Sequence, residues 1–288
     1  MTNAYVERVL VRLGGQFAEM SVRVWKATNS RKTVFCIHQY MSNSTEFEYL
    51  ASYLVSHGYN VICPDLLGRG SSGNLQNASQ YHLLNMLKSL GSIVERYANS
   101  ENFILGSSYG AALALFAASS GLQLSGLVLN DPPLTPHPNK IAYTRLLKEL
   151  CLTSFADEQD FARWLATILD KEVGPFPPGA LERSVKNNSA KRPNGYGLSV
   201  DAKLAVAVVA DMDMEFDLLP RLKAVSAPVL LLFASTSPYR QAVDLSFLKT
   251  EKTHILLIDD IVGGHPPLLM DEKICSTVRR FLDENSKL

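Results

Sequence analysis

A serine at the centre of Gly106-Ser107-Ser108-Tyr109-Gly110 is the residue of this chain best suited to covalent chemistry. The apolar run 102–105 precedes this stretch, and the small, helix-forming run 111–118 follows it. A strand, a sharp turn and a helix around Gly-x-Ser-x-Gly are typical of a nucleophile elbow, whose strained centre needs small residues on both sides. The pattern predicts that Ser108 is an exposed nucleophile and that Ser107 points into the fold. The alternative is a loop that only turns the chain.

A histidine is the natural partner of such a serine. A hydroxyl group becomes a good nucleophile when a base takes its proton, and neutral imidazole suits that task near neutral pH. His265 follows Gly263 and Gly264 after the last predicted strand, in a flexible loop that can reach back over the sheet edge. We expect His265 to be the general base, with a surface histidine in a glycine turn as the alternative. The remaining histidines fit this role less well: His38, His57, His82, His137 and His254.

Alternating strand and helix patterns surround these two residues. After a predicted hairpin at 5–26, continuous apolar runs typical of buried parallel strands alternate with helical patterns. The predicted strands are 33–37, 60–63, 102–106, 126–129, 227–233 and 254–258. The predicted helices that alternate with them or follow the last strand are 44–57, 79–98, 111–118 and 268–283. This order predicts an α/β fold with a doubly wound, mostly parallel sheet covered on both faces.

The alternation breaks between about 133 and 218. Helical patterns at Ile141–Leu152, Asp157–Leu169 and Val200–Ala210 are interrupted by prolines, and no buried-strand pattern is present. We therefore predict a core of residues 1–132 and 219–288, and an inserted helical cap of residues 133–218 over the edge of the sheet where such folds bind ligands. The proline-rich stretch 175–178 is expected to be a turn between cap helices.

Composition narrows the classes of function. The 288 residues carry 28 basic and 28 acidic side chains, so the overall charge does not favour binding to nucleic acid or to an anionic membrane. The first residues lack the pattern of a signal peptide, and no apolar run approaches the roughly 20 residues that span a bilayer. Cysteine spacing indicates neither a metal site nor disulfides, so the four cysteines are expected to be buried. We expect a cytoplasmic protein without cofactor or metal; the sequence does not determine its oligomeric state.

Four landmarks in order resemble the α/β-hydrolase superfamily, in particular members with a helical cap. His38-Gln39-Tyr40 follows the first buried strand, where relatives usually carry His-Gly-x. The stretch 65–72 resembles the family's Asp-x-x-Gly-x-Gly-x-Ser loop, and 106–110 is the elbow. Gly264-His265-Pro266-Pro267 follows the last strand, where the family places its catalytic histidine. The resemblance covers nearly all of the chain outside the cap.

This resemblance implies an oxyanion hole made by the backbone N–H groups of Tyr40 and Tyr109. Gln39 replaces the usual glycine, and its side chain is expected to narrow the site or to bind the substrate. We predict Gln39 and His38 as substrate-binding residues, although His38 fits the role of organising its loop better than direct catalysis.

The acid of a Ser-His-Asp triad is harder to place. Relatives usually carry it shortly after the strand that follows the cap, but here Ser237 occupies that position. In relatives with an alternative placement the acid follows the strand after the elbow helix, which implies Asp131. Its task would be to accept a hydrogen bond from His265 and stabilise the imidazolium. Asp131 could instead only cap the entry to the cap segment, and the rival carboxylates are Asp244, Asp259 and Asp260.

These features favour a serine hydrolase that acts through an acyl-enzyme on a small, mainly apolar substrate. The bond cleaved is an ester, a thioester, a lactone or an activated carbon–carbon bond. Two other functions remain open because one fold hosts many chemistries. One is a lyase or cofactor-free oxygenase that uses His265 as its base. The other is a small-molecule receptor without catalysis, which the missing acid at Ser237 keeps open.

Overall fold

A computed structural model describes residues 4–213, 217–249 and 254–287. Eight strands form one sheet in the spatial order β1-β2-β4-β3-β5-β6-β9-β10. Their bounds are β1 Tyr5–Leu13, β2 Gln16–Trp25, β3 Lys32–Ile37, β4 Asn60–Pro64, β5 Glu101–Ser107, β6 Gly126–Asn130, β9 Val229–Ala234 and β10 Ile255–Ile261. Two further strands, β7 Ser189–Arg192 and β8 Gly195–Leu198, form a separate hairpin. Strand β2 is antiparallel to its two neighbours, β1 and β4, and every other pairing in the large sheet is parallel, so the predicted mostly parallel α/β sheet is confirmed.

Strand register places the functional loops beside one another. Ile37 at the end of β3 pairs with Gly106 in β5, and Ser107 at the end of β5 pairs with Asn130 in β6. The carboxyl ends of parallel strands meet at one edge of a sheet, which is where this fold class binds ligands. The loop after β3, the elbow after β5 and the turn after β6 therefore begin side by side.

Helices cover both faces of the sheet. The helices that the structure describes are α1 Glu48–Ser56, α2 Leu83–Tyr97, α3 Tyr109–Ser119, α4 Lys140–Leu152, α5 Glu158–Glu172, α6 Ala180–Asn188, α7 Leu204–Asp213, α8 Leu219–Ala224, α9 Pro238–Ala242 and α10 Glu272–Glu284. One buried apolar cluster joins α1 and α10 to the sheet, and a second joins α2 and α3 to its other face. Within the described ranges, none of these helices is both long enough and apolar enough to cross a membrane.

The chain between β6 and β9 departs in part from its predicted pattern. Helices α4, α5 and α7 correspond to the three predicted helical stretches, and residues 175–178 lie between α5 and α6 as expected. Helix α6 and the β7–β8 hairpin were not anticipated. The strands of this hairpin are mostly only half-buried and include Lys191 and Arg192, so they lack the continuous apolar run by which a core strand is recognised.

This segment lies over the carboxyl edge of the sheet. It hydrogen-bonds to loops that follow three different strands, through the pairs Asn43 Nδ2–Asn188 Oδ1 at 3.0 Å, Gly70 N–Ser199 O at 2.8 Å and Gly264 N–Val173 O at 3.0 Å. These contacts tie the segment to the same edge that carries the elbow.

Candidate active site

Ser108 has the backbone strain that a nucleophile elbow requires. Its φ is 51° and its ψ is −112°, at the junction of β5 and α3, in a region that residues other than glycine rarely adopt. A Cβ on Gly106 would lie 2.3 Å from the carbonyl oxygen of Gly110, and a Cβ on Gly110 would lie 2.0 Å from that of Ile37. Both glycines are therefore required by close backbone contact. The neighbouring Ser107 is fully buried, as predicted for a side chain directed into the fold.

Three predicted residues meet at this turn. The Ser108 Oγ lies 2.7 Å from His265 Nε2, and His265 Nδ1 lies 3.0 Å from Asp131 Oδ2. The Asp131 side chain is fully buried and that of His265 is 8% exposed, whereas Ser108 is 5% exposed as a whole residue. With Nδ1–H donating to the carboxylate, Nε2 is free to accept the proton of the serine hydroxyl group.

Asp131 is held in place by its strand and by Ser237. Its φ is 53°, and its backbone N–H donates to the Leu232 carbonyl oxygen of β9 at 2.7 Å. The Ser237 hydroxyl group donates to Asp131 Oδ1 at 2.6 Å, while Oδ2 faces His265. The serine that replaces the usual acid thus contacts the carboxylate that lies against the histidine. Both oxygens of Asp131 are engaged, which restricts its rotation.

The other three candidate acids do not contact His265 among the described residues. Asp259 forms an ion pair with Arg240 at 2.6 Å, and Asp260 is exposed on β10. Asp244 is exposed and accepts a hydrogen bond from the Ser246 backbone N–H at 2.9 Å. Of the four candidate acids, Asp131 is the one whose carboxylate is hydrogen-bonded to His265.

The loop that carries His265 is fastened to the end of α5. The His265 backbone N–H donates to the Glu172 carbonyl oxygen at 2.9 Å. A Cβ on Gly264 would come within 2.1 Å of the same oxygen, so glycine is needed for this close approach. The ring of Tyr239 packs against the imidazole, with their centroids 4.8 Å apart.

Both ring nitrogens of His38 are hydrogen-bonded to the backbone of the loops around it. It is fully buried, its Nε2 accepts a hydrogen bond from the Leu66 backbone N–H at 2.9 Å, and its Nδ1 donates to the Gln39 carbonyl oxygen at 2.7 Å. Burial lowers its pKa to about 4, so the ring is neutral at physiological pH. The prediction that His38 binds substrate does not fit this position. Its contacts instead hold the loops after β3 and β4 together.

The other predicted residues of this loop face the site. Gln39 is half-buried, and its backbone N–H donates to Glu46 Oε2 at 3.2 Å. Tyr40 and Tyr109 line one cavity together with Ser108, and their rings meet edge to face at 4.8 Å. Among the described residues, the backbone N–H groups of Tyr40 and Tyr109 donate to no protein acceptor. Both remain free to bind a ligand atom beside Ser108.

Two cavities flank the Ser108–His265 pair. The serine-side cavity encloses about 70 Å³, is mainly apolar and is lined by Ser108, Tyr40, Tyr109, Phe116, Leu218 and Asp211, among others. The histidine-side cavity encloses about 240 Å³ and is lined by His265, Gln39, Leu146, Ile168, Glu172 and Asn188, among others. Tyr40, His137, Tyr143 and Leu147 line both cavities. The reacting side chains therefore stand where the two spaces meet.

Comparison with known proteins identifies the family. The family model described as alpha/beta hydrolase fold matches residues 32–266. This chain belongs to the α/β-hydrolase fold family. An alpha/beta hydrolase from Novosphingobium aromaticivorans superposes with a TM-score of 0.81 at 21% identity, over 99% of this chain and 100% of that one. At such low identity the superposition shows that the fold is shared, and no more.

Two curated relatives cover different shares of this hydrolase-fold chain. The 3-hydroxybutyrate-oligomer hydrolase of Cupriavidus necator is 24% identical over 273 residues, which are 88% of each protein. Protein ABHD8 of Homo sapiens is 29% identical over 100 residues, which are 35% of this chain and 23% of that protein. The chain thus aligns with less than a quarter of protein ABHD8.

Sequence motifs did not reveal two side chains at this hydrolase-fold site. Tyr143 on α4 stacks on His137 with centroids 4.4 Å apart, and its centroid lies 6.3 Å from that of His265. Burial raises the pKa of Tyr143, and the neighbouring Ser108 opposes that rise. Asp211 on α7 lines the serine-side cavity. The helical pattern located both helices, but their facing depends on how they dock onto the core.

Proposed function

We propose that this chain is a serine hydrolase that cleaves carboxylic esters of small, mainly apolar acids. One observation carries the proposal: a continuous hydrogen-bonded series runs from Ser108 Oγ through both ring nitrogens of His265 to Asp131 Oδ2. This is the arrangement by which a serine is activated, an imidazole takes its proton and a carboxylate stabilises the imidazolium. A small-molecule receptor without catalysis is the alternative function, because Ser237 stands where relatives usually carry the acid. The carboxylate of Asp131 supports the enzyme over this alternative.

In the first half-reaction Ser108 Oγ attacks the ester carbonyl carbon, and its proton passes to His265 Nε2. The tetrahedral intermediate carries its negative charge on the former carbonyl oxygen. We assign the stabilisation of that oxyanion to the free backbone N–H groups of Tyr40 and Tyr109, with Tyr109 at the first position of α3, where the helix dipole also favours negative charge. Collapse breaks the carbon–oxygen bond to the alcohol, which leaves with the proton held by His265.

In the second half-reaction water replaces the alcohol. His265 takes one proton from water as the resulting hydroxide attacks the acyl carbon, and the acid is released when Ser108 regains its proton. Because the same imidazole must reach both the alcohol and the incoming water, the leaving group belongs on the His265 side of the site. The histidine-side cavity is the larger of the two and would hold the alcohol. The smaller serine-side cavity would hold the acyl group.

The segment 133–218 would act as a cap in this reaction. Its Tyr143 and His137 line both cavities, and Asp211 lines only the serine-side cavity. Side chains of the segment therefore surround both parts of an ester bound at Ser108. The Tyr143 side chain lines the serine-side cavity together with Ser108, so it is placed to touch the reacting carbonyl group. Exclusion of water by such a cover strengthens each of these polar contacts.

The test is covalent labelling combined with turnover. A fluorophosphonate probe should label the wild type and not Ser108→Ala, and ethyl butyrate hydrolysis should fall by several orders of magnitude in that variant because the three side chains act as a unit. Ser107→Ala is the matched control, since it removes a buried hydroxyl group one residue away. Equal labelling of Ser108→Ala and the wild type would refute the proposal. So would a folded wild type that neither binds the probe nor hydrolyses any ester.

A further inference from the structure

The serine-side cavity is lined by a buried carboxylate, one oxygen of which accepts no hydrogen bond from the described residues. Asp211 on α7 is 4% exposed and lines the cavity. Its Oδ2 accepts a hydrogen bond from the Tyr40 hydroxyl group at 3.0 Å. Among the described residues nothing donates to Oδ1. A buried carboxylate oxygen without a donor is costly, and a ligand that supplies one relieves that cost.

The Tyr40 hydroxyl group and Arg69 both favour the charged form of this carboxylate. The arginine is 1% exposed, and its guanidinium carbon lies 4.6 Å from the centre of the Tyr40 ring. It donates hydrogen bonds to the backbone carbonyl oxygens of Tyr40 and Leu67, at 3.2 and 2.9 Å, and to Met86 Sδ at 3.9 Å. Burial raises the pKa of Asp211 to about 6, against the opposing effects of the Tyr40 hydrogen bond and the Arg69 charge. At neutral pH the group is therefore mostly an anion.

Tyr109 adds a second unsatisfied group to the cluster. Its hydroxyl group is buried and has no hydrogen-bond partner within the part of the chain that the structure describes. Burial and the Asp211 charge both raise the pKa of Tyr109, so the hydroxyl group stays protonated. Because this hydroxyl group is sealed from solvent, the acceptor that the cavity offers to a ligand is Asp211 Oδ1. A hydroxyl group on the ligand is complementary to that oxygen because it can donate a hydrogen bond.

Tyr40 sets the distance between this cluster and the reacting bond. Its backbone N–H is the proposed donor to the oxyanion, and its own hydroxyl group binds Asp211. The Tyr40 side chain and its hydrogen bond to Asp211 thus separate the carboxylate from the reacting carbonyl group. Between them the cavity has apolar walls that include Ala112, Phe116 and Leu218. A short alkyl chain fits these walls, with a polar group only at its far end.

We propose that Asp211 accepts a hydrogen bond from a hydroxyl group on the acyl chain, so that the substrates are esters of short hydroxyalkanoic acids. The inference rests on the proposed ester hydrolysis and names its substrate class. A carboxylate at this end of the acyl chain would be repelled by Asp211. A plain alkyl chain would cover Oδ1 and leave it without a donor.

Matched esters test this assignment. We compare kcat/KM for ethyl butyrate with ethyl 3-hydroxybutyrate, and for ethyl hexanoate with ethyl 6-hydroxyhexanoate. In the wild type at least one hydroxylated ester should be preferred roughly 10- to 100-fold, the range expected for a buried hydrogen bond to a charged group. Asp211→Leu should abolish the preference, and Asp211→Asn, which keeps an acceptor oxygen, should retain part of it. Tyr40→Phe should lower it too, because Asp211 then loses its only protein donor among the described residues.

Asp201→Asn is the matched control. Asp201 is also buried and also accepts a hydrogen bond from a tyrosine, Tyr81, at 2.6 Å, but it does not line the serine-side cavity. In Asp201→Asn, the ratio of kcat/KM for the hydroxylated ester to kcat/KM for the plain ester should equal that of the wild type. A wild-type ratio near 1 for both ester pairs, or one unchanged in Asp211→Leu and Asp211→Asn, would overturn the inference.

A binding measurement separates this inference from the proposed function. In the Ser108→Ala background, calorimetry should show tighter binding of the preferred hydroxylated ester than of its plain partner, and this difference should vanish when Asp211→Leu is added. If the wild type neither reacts with the probe nor hydrolyses esters, the proposed function fails. The calorimetric difference still decides whether Asp211 binds the hydroxyl group, and its absence would refute the inference.

Discussion

Two buried aspartates, Asp131 at the sheet edge and Asp211 at the end of the serine-side cavity, differ in how their oxygens are used. Each accepts a hydrogen bond from a hydroxyl group, Asp131 from Ser237 and Asp211 from Tyr40. The second oxygen of Asp131 is held by His265, whereas the second oxygen of Asp211 has no donor among the described residues. A carboxylate with both oxygens engaged is suited to orient a neighbour. One with a vacant oxygen is suited to bind a ligand.

The difference follows from the elements that carry them. Asp131 directly follows the core strand β6, and its backbone is tied to β9 through Leu232, so the sheet itself determines its position. Asp211 lies on α7, a helix of the segment that covers the sheet. Such covering segments adapt their side chains to the ligand, while the strand ends keep the reacting groups in register.

The largest effect should come from Asp131→Asn. The amide cannot stabilise an imidazolium and favours the wrong tautomer of His265, so turnover of ethyl butyrate should fall by up to about 10⁴-fold while the fold is retained. Steady-state kinetics and circular dichroism measure the two quantities. Asp259→Asn and Asp260→Asn are the controls, because these carboxylates lie outside the contact with His265. If Asp131→Asn were fully active and either control inactive, the acid would have to be reassigned.

Exchanging the side chains at positions 131 and 237 tests whether the position of the carboxylate matters. In Asp131→Ser with Ser237→Asp, the carboxylate moves to the position where relatives usually carry it and the hydroxyl group takes the place of the acid. Turnover of the double variant should be at least tenfold higher than that of Asp131→Ser alone, since only one carboxylate is needed to orient the imidazole. Equal turnover of the single and double variants would show that this backbone accepts the acid only at 131.

Ser237→Ala should have a smaller effect. It removes one of the two hydrogen bonds to Asp131 but leaves the contact with His265 intact, so turnover should fall by roughly tenfold, as expected for a hydrogen bond to a charged group. The measurement is kcat for ethyl butyrate at a pH above neutrality. A loss as large as that of Asp131→Asn would mean that Ser237 takes part in the proton transfers directly.

The smallest effect is on the pH dependence of stability. Because burial raises the folded-state pKa of Asp211 to about 6 from an ordinary value of 3.8, its contribution is fully present below about pH 3.8 and is lost as the pH rises through 6. The loss should be about 3 kcal/mol. Urea unfolding of Asp211→Asn between pH 4 and 7 should lack this decline.

Asp201→Asn provides the opposite sign when the unfolding measurements are extended below pH 3.8. Burial raises the pKa of Asp201, but hydrogen bonds from Tyr81 and Lys203 together lower it below its ordinary value. Its contribution is therefore present above pH 3.8 and lost as the pH falls through the lower folded-state value. Identical pH profiles for Asp211→Asn and the wild type would show that Asp211 is not desolvated in the folded protein.

Much of the core was predictable from local patterns. Continuous apolar runs located the strands, and the glycines at 106 and 110 marked the elbow before its backbone geometry was known. The half-buried β7–β8 hairpin and the polar helix α6 were not predictable, because neither has the apolar periodicity on which such predictions depend. His38 was predicted to bind substrate from its place after β3. Its burial against Leu66 depends on the packing of the loop after β4.

The sequence by itself determined the order of strands and helices, the elbow around Ser108 and the glycine loop that carries His265. These follow from local chemistry, namely backbone sterics, apolar runs and the small residues that a sharp turn requires. Only the tertiary structure decided which carboxylate meets His265, what Ser237 does, and that Asp211 and Tyr143 reach the site. Those contacts join residues far apart in the chain, and they depend on strand register and on how helices dock, which no local pattern encodes.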